Sequence, residues 1–254
     1  MLICPVCGEK LNRDNRTLRC GVGHSFDYSK DGYVNLLLGS KSGDLRGDSK
    51  ESAKARKEFL SKDYYLCLKR AICERLQGTV LDICCGEGYY DDYVGELYAF
   101  DISKEMVRLA SKRNKAGNYH YFVANLSSIP VADGSIDTAI HLFAPFNESE
   151  FSRVLSDDGV LYSVIPGENH LFEMKEIIYD KPYKNDEKVP DTEQLHLIST
   201  TKVSEVVRIN REDLKMLFMM TPYYYRTSES DRAKLDAVDE MDLTVEFVVL
   251  EYRK

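Results

Sequence analysis

The chain has 254 residues, 43% of them hydrophobic, and a formal net charge of -8. That is enough for one good-sized domain plus a small module, with an ordinary globular composition. No segment approaches the roughly 20 apolar residues that span a bilayer. Met1-Leu-Ile-Cys-Pro5 lacks the basic stretch and apolar run of a secretion signal, so a cytoplasmic protein with reduced thiols and no membrane partner is expected.

The charge is unevenly divided. Residues 1–70 carry 14 Lys and Arg against 9 Asp and Glu, whereas the remainder carries 20 against 33. A basic head on an acidic body can orient a polyanion, although a solvated helical lead-in has the same composition.

The first 24 residues hold Cys4-Pro-Val-Cys7, then Cys20, then His24. Two thiolates two residues apart grip one ion from a single tight turn, and the second pair closes a tetrahedron. Soft sulfur with imidazole suits zinc. Four protein ligands leave no place for an activated water, so a structural Zn2+ is expected. A disulfide pair or chance clustering are the alternatives. Lys10, Arg13, Arg16 and Arg19 lie between the ligands, where they can reach phosphates or form ordinary solvated surface.

The zinc module is expected over residues 1–35, and a linker and helical lead-in over 36–78. Gly39–Asp48 is polar and glycine-rich and reads as a loop. Ser49–Leu76 reads as helix, though its apolar positions are not strictly periodic. From Thr79 onward strands and helices alternate, with strands expected at 79–84, 96–101, 119–124, 135–143, 159–165, 202–209 and 243–251. Ser103 is expected to cap a helix through Arg113; further helices are expected at 148–155, 169–179 and from Arg211. Asp180–Thr200 is charged and proline-punctuated and reads as an excursion near the substrate. Alternation of this kind implies a mostly parallel α/β sheet with helices on both faces over residues 79–254.

The most chemical stretch after the zinc site is Leu81-Asp-Ile-Cys-Cys-Gly-Glu-Gly-Tyr-Tyr90, placed after the first strand of the alternation and read as opening a helix. Glycines there let the backbone approach a cofactor. Asp101 ends the next strand, where a carboxylate meets ribose hydroxyls. Gly86-x-Gly88 followed by tyrosines lacks the third glycine of a dinucleotide fingerprint. The pattern is instead that of S-adenosylmethionine methyltransferases, and the segment Val123–Asp137 supplies a third element, framing the adenine. Fold class is therefore expected to be a Rossmann-like class I methyltransferase domain preceded by a zinc-binding module.

Taken over nearly its whole length, the chain resembles the 23S rRNA guanine-N1 methyltransferases of the RlmA/RrmA family. The segments that carry the resemblance are the zinc ligands, Asp31–Leu37, Gly47-Asp-Ser49, Ala55-Arg56 with Phe59-Leu60, Leu81-Asp82 with Gly86–Tyr90, Pro166-Gly167 with His170-Leu171, and Met220-Thr-Pro222. The resemblance implies methylation of N1 of one guanine in a 23S rRNA hairpin, S-adenosylmethionine as cofactor, and a homodimer with an RNA-binding cleft. It implies Cys4, Cys7, Cys20 and His24 as zinc ligands. It implies cofactor contacts from Tyr65, Gly86, Glu87 and His170, beside Asp82, Gly88, Asp101 and Asn125 on general methyltransferase grounds. The motif's first glycine is Cys84 here, and a Cβ and sulfur at that turn should weaken cofactor binding without abolishing function.

No general base is evident in the sequence. His170 is the best-placed candidate, although cofactor contact is its stronger reading. His141 reads as a core or supporting histidine, and Glu148, Glu150 and Glu168 as solvated residues of which one could serve. Thr221-Pro-Tyr-Tyr-Tyr-Arg226 offers rings able to hold a splayed base, or to pack. A small-molecule methyltransferase of the same fold, or a noncatalytic RNA-binding protein with a degenerate cofactor site, are the competing functions. The first leaves the zinc module unexplained, and only Cys84 favours the second.

Overall fold

A computed structural model of the chain describes residues 1–39, 50–114 and 118–254. Apart from Gly39, the expected loop Gly39–Asp48 and the family-like segment Gly47–Ser49 lie outside the described residues.

The zinc module is a three-stranded antiparallel sheet of β1 (Asn12–Asp14), β2 (Thr17–Arg19) and β3 (Ser25–Asp27). These strands are too short for periodicity to announce. The chain continues through β4 (Val34–Asn35), α1 (Lys50–Leu60), α2 (Leu66–Cys73), β5 (Val80–Ile83), β6 (Glu96–Asp101), α3 (Lys104–Arg113), β7 (Asn118–Val123) and β8 (Ile136–Leu142). It ends with α4 (Glu148–Val154), β9 (Leu155–Pro166), α5 (Phe172–Ile178), β10 (His196–Asn210), α6 (Arg211–Met220), α7 (Glu229–Ala233), a 3-10 turn over Lys234–Ala237 and β11 (Glu240–Arg253). The main sheet runs β10-β11-β9-β8-β5-β6-β7-β4. Strands β4 to β9 within it pair in parallel, and β11 is antiparallel to both β9 and β10. This is the expected Rossmann-like α/β architecture.

Each face of the sheet has its own core. On one face Phe59, Leu68, Ile72, Val107, Met174 and Leu217, from α1, α2, α3, α5 and α6, pack with Val80, Leu97, Ile140, Val164 and Phe247. On the other, Cys4, Leu11, Leu18 and Cys20 of the zinc module join Phe151 and Val154 of α4 against Leu81, Ile83, Phe100, Phe122 and Leu161. The module is further tied down by backbone hydrogen bonds, Ile3 N–H to Pro130 O at 3.0 Å and Leu36 N–H to Val123 O at 3.0 Å.

Several expected elements differ. The helix over Ser49–Leu76 is two helices, because Asp63 takes a left-handed φ of 61° between them. The glycine loop does not open a helix: residues 84–95 turn directly into β6. Cys84, Gly86 and Gly88 have φ of 59°, 56° and 74°, which no α-helix accommodates. The layer such a helix would supply comes from α1 and α2 and from Tyr89 and Tyr90, 2% and 7% exposed. Helix α5 begins three residues late, after Leu171 at φ 59°. Strand β9 begins at Leu155, with a register shift that accommodates Gly159. There an added Cβ would meet Ile136 O at 2.9 Å.

Candidate metal centre and cofactor cavity

The C-x2-C turn is closed by Gly8 N–H to Cys4 O at 2.8 Å, with Gly8 at φ 77°, and the second turn by Gly23 N–H to Cys20 O at 3.1 Å. These two turns bring the four ligand atoms within 4.8 Å of one another. Cys4 Sγ and Cys20 Sγ lie 3.5 and 3.4 Å from His24 Nδ1, and Cys7 Sγ lies 3.7 Å from Cys20 Sγ. Metal–ligand bonds of about 2.3 Å to sulfur and 2.0 Å to nitrogen set tetrahedral edges of roughly 3.5–3.8 Å. The residues therefore fit a four-coordinate zinc ion through three sulfurs and Nδ1. His24 N–H also donates to Cys20 Sγ at 3.3 Å, fixing that thiolate's orientation.

At the carboxyl ends of β5, β8 and β9, where the parallel strand order reverses, lies a cavity of about 460 Å3. Its walls include Tyr65 at the head of α2, Asp82 of β5, the loop Cys84–Glu87, His141 of β8, Phe143, Ser163 of β9 and His170. Tyr65, Asp82, Gly86, Glu87 and His170 are thus brought together. Gly88, Asp101 and Asn125 are not among its walls. Gly88 turns the chain beneath the cavity, where an added Cβ would sit 2.9 Å from Ala110 Cβ of α3. Asp101 accepts from Gly86 N–H at 3.1 Å and Ser103 N–H at 2.8 Å, so it anchors the loop that forms the wall. Asn125 Oδ1 caps its own turn through Ser127 N–H at 3.0 Å.

The cavity contains buried polar atoms without hydrogen-bond partners among the described residues: both carboxyl oxygens of Asp82, and Glu87 Oε2. Both residues are 1% exposed. Burial, and then the charge of Asp91, hold the Asp82 carboxyl well above the usual range. Burial lifts Glu87 from 4.5 to about 7 despite Arg113, whose Nη2 lies 3.4 Å away. Buried polar atoms of this kind call for a partner, which a water, an ion or a ligand can supply; the Asp82 carboxyl also faces that of Asp91. S-adenosylmethionine presents an ammonium group and ribose hydroxyls, so the donor set fits it.

Both cavity histidines are neutral. His170 Nδ1 accepts the main-chain N–H of Glu246 at 3.2 Å, which leaves the proton on Nε2, 3.4 Å from Tyr65 Oη. Burial and then Lys175 push its pKa down to about 3. His141 Nε2 donates to Pro145 O at 3.1 Å and Nδ1 meets Ser163 Oγ at 3.0 Å; burial lowers it to about 4. Glu148 and Glu150 lie away from the cavity walls. Glu148 Oε1 accepts three main-chain N–H groups, from Glu193, Gln194 and Leu195, at 2.6–2.9 Å. Glu150 is held by Arg153 at 2.8 Å, and Glu168 pairs with Lys184 at 3.0 Å on the surface.

Of the three tyrosines at 223–225, only Tyr223 lines the cavity. Tyr224 packs on Phe218, ring centroids 5.6 Å apart, and Tyr225 is 71% exposed. Phe143 and Asp91 escape a reading of the sequence, and Arg56, which falls in a family-like segment without an assigned role, lines the cavity. Asp91, 1% exposed and accepting Tyr121 Oη at 2.9 Å, follows the recognised motif by three residues and carries no pattern of its own. Lys10, Arg13, Arg16 and Arg19 are all exposed on the zinc module. Arg13 stacks over Tyr28, 4.9 Å from its centroid, and Arg16 donates to Ser29 O at 3.1 Å.

Comparison with known proteins finds relatives over both parts of the chain. The family model for the RlmA N-terminal region, a zinc ribbon, matches residues 2–39, and a methyltransferase-domain model matches residues 80–159. The 23S rRNA (guanine(748)-N(1))-methyltransferase of Streptomyces fradiae is 29% identical, covering 98% of this chain and 95% of its own. A Micromonospora griseorubida protein named for the same guanine-N1 activity on 23S rRNA is 33% identical over 68% of each chain. A similarly named protein of Bacillus subtilis, YxjB, is 26% identical over 98% of this chain and 96% of its own. The chain belongs to the 23S rRNA (guanine-N1-)-methyltransferase family.

Proposed function

We propose that this chain transfers the methyl group of S-adenosylmethionine to N1 of one guanine in a hairpin of 23S rRNA. The observation that carries the reading is the union of a Cys3His zinc module, bearing Arg13, Arg16 and Arg19, with a cavity lined by orphaned acceptors at the carboxyl ends of β5, β8 and β9. The reading divides the chain into a zinc module over 1–35, a lead-in over 36–78 and a methyltransferase domain over 79–254. It assigns a cytoplasmic homodimer.

Bound in the cavity, S-adenosylmethionine supplies a sulfonium-activated methyl group. Asp82, Glu87 and the Gly86–Glu87 backbone would hold it, with His170 beside them and its Nε2–H facing Tyr65 Oη. Asp101 and Asn125 shape the ribose and adenine side through the loops they brace. Guanine N1 loses its proton on methylation. The two histidines are unsuited to take it, since each has Nε2 protonated and Nδ1 engaged. The chain therefore works chiefly by aligning N1 with the methyl group, the N1 proton leaves to solvent water as the N1–methyl bond forms, and His170 is a donor rather than a base.

The test is to incubate labelled S-adenosylmethionine with unmodified large-subunit RNA and map the product by primer extension. A stop at a single guanine is expected. Label in a metabolite with silent RNA, or RNA binding without transfer, would overturn the reading.

A further inference from the structure

The described residues include five non-glycine positions with positive φ: Asn15, Asp63, Cys84, Phe143 and Leu171. Asn and Asp enter this region readily, whereas a bulky side chain there is an outlier. Leu171 is 1% exposed, so its burial offsets the backbone cost. Cys84 belongs to the cofactor loop. Phe143 has neither explanation: at φ 56° it is strained, yet the residue is 44% exposed. Strain kept without burial points to use.

The kink immediately follows β8. Phe143 N–H still donates to Val164 O of β9 at 3.3 Å, which holds the backbone in place while the ring lines the cavity. From beneath, Phe247 supports it at a centroid distance of 5.8 Å, and the Phe247 ring in turn lies 4.7 Å from His170 and 4.9 Å from Tyr65. Pro190 and Tyr223 line the same cavity. Tyr223 is fixed, because its hydroxyl donates to Asn185 Oδ1 at 2.9 Å, the same atom that accepts Lys175 Nζ at 2.6 Å. Lys175 Nζ also sits 5.0 Å over the Tyr223 ring.

We propose that Phe143 is the platform on which the unstacked target guanine lies, with Tyr223 as a fixed wall of the same slot. The inference rests on the methyltransferase reading above and adds to it the residue that holds the acceptor. A base reached by methyl transfer at N1 reacts in the plane of its ring. A platform that grips a face leaves that edge free to meet the methyl group. A base in structured RNA must leave its stack to be reached, and an aromatic ring restores part of the lost stacking.

The experiment compares wild type with Phe143→Ala, Phe143→Gly and Phe143→Tyr. It measures methyl transfer to unmodified large-subunit RNA, S-adenosylmethionine affinity by calorimetry, and thermal midpoint. Base stacking on a protein ring is worth a factor of about 5 to 150. Ala and Gly should lower transfer within that range while cofactor Kd stays within about twofold, and Tyr should restore transfer. Glycine suits φ 56° but gives up the ring contact with Phe247, so the thermal midpoint is read beside transfer, and a Gly variant still folded at the assay temperature yet poor in transfer has no folding defect to explain its loss. Equal transfer by the Gly variant, or a cofactor Kd that weakens by the same factor as transfer, overturns the platform while leaving the enzyme's function standing. A wild-type enzyme silent on RNA overturns both readings together.

Discussion

The zinc module and the cofactor cavity solve the problem of assembling a site in opposite ways. In the module, ligand chemistry dictates everything: four side chains at fixed spacing, two tight turns, edges of 3.4–3.7 Å. The cavity draws on residues from Arg56 to Tyr223, and much of what shapes it is backbone conformation and burial. The first kind of site tolerates no ligand substitution. The second spreads its function over many residues, so Cys84 in a glycine's place should weaken it without abolishing it.

The largest expected effect breaks the module. Cys20→Ser removes one ligand from a centre whose metal affinity is folding energy, on the order of 10 kcal/mol in isolated modules. Zinc content should fall and limited proteolysis should cut within residues 5–30, with RNA methylation lost and cofactor binding largely kept. Undiminished zinc with a protease-resistant head would mean that the metal does not hold the module. A point variant is preferable to deleting residues 1–35, because Leu2, Leu11, Leu18 and Val34 belong to the core on that face of the sheet.

Next in size is Glu87. Its folded pKa of about 7 lies above the ordinary 4.5, so the folded state binds the proton more tightly than the unfolded chain. Stability is greatest below about pH 4.5 and declines as pH rises through about 7. Glu87→Gln should therefore stabilise the cofactor-free protein by up to about 3 kcal/mol at pH 8 and leave it unchanged at pH 4. Thermal melts across that range check it; a variant less stable than wild type at pH 8 would show that the carboxylate is compensated. Cofactor binding should weaken in the same variant.

A smaller effect belongs to Cys84, at φ 59° in a cavity wall. Cys84→Gly should tighten S-adenosylmethionine binding severalfold in a calorimetric titration, and no gain would acquit the sulfur of crowding the site. The smallest concerns His170. As a hydrogen-bond donor with a pKa near 3, it should contribute no limb to the pH–rate profile above pH 5. His170→Ala should lower the rate without moving the profile, and a lost limb would restore His170 as a base.

Much of this could be read from the chain itself, for reasons that differ by region. The central strands are buried on both faces, so their apolar runs announce them; β6 falls where expected and β5 and β8 within two residues. Ser103 caps α3 as its side chain predicts, accepting Met106 N–H at 3.4 Å. The missing helix after Gly88 is not legible because the expectation rests on motif position, whereas left-handed conformations at the alternate residues Cys84, Gly86 and Gly88 decide the backbone. Helix α1 ends early because Asp63, whose Oδ1 accepts Tyr89 Oη at 3.0 Å, is committed to a long-range contact that no local pattern reveals. Tyr65, Asp82, Gly86, Glu87 and His170 converge as the motifs suggest. Phe143 was invisible, since an aromatic residue at the end of a buried strand looks like core.

The interlocking of the zinc module with the sheet has a consequence for the nascent chain. Cys4–His24 emerges from the ribosome long before Phe122, Ile129 and Val131, the residues that cover its apolar underside. For that interval chelation alone must keep the head ordered, with Leu2, Leu11 and Leu18 uncovered. Metal supply during synthesis, rather than the stability of the finished protein, would then set the yield of active enzyme in zinc-starved cells.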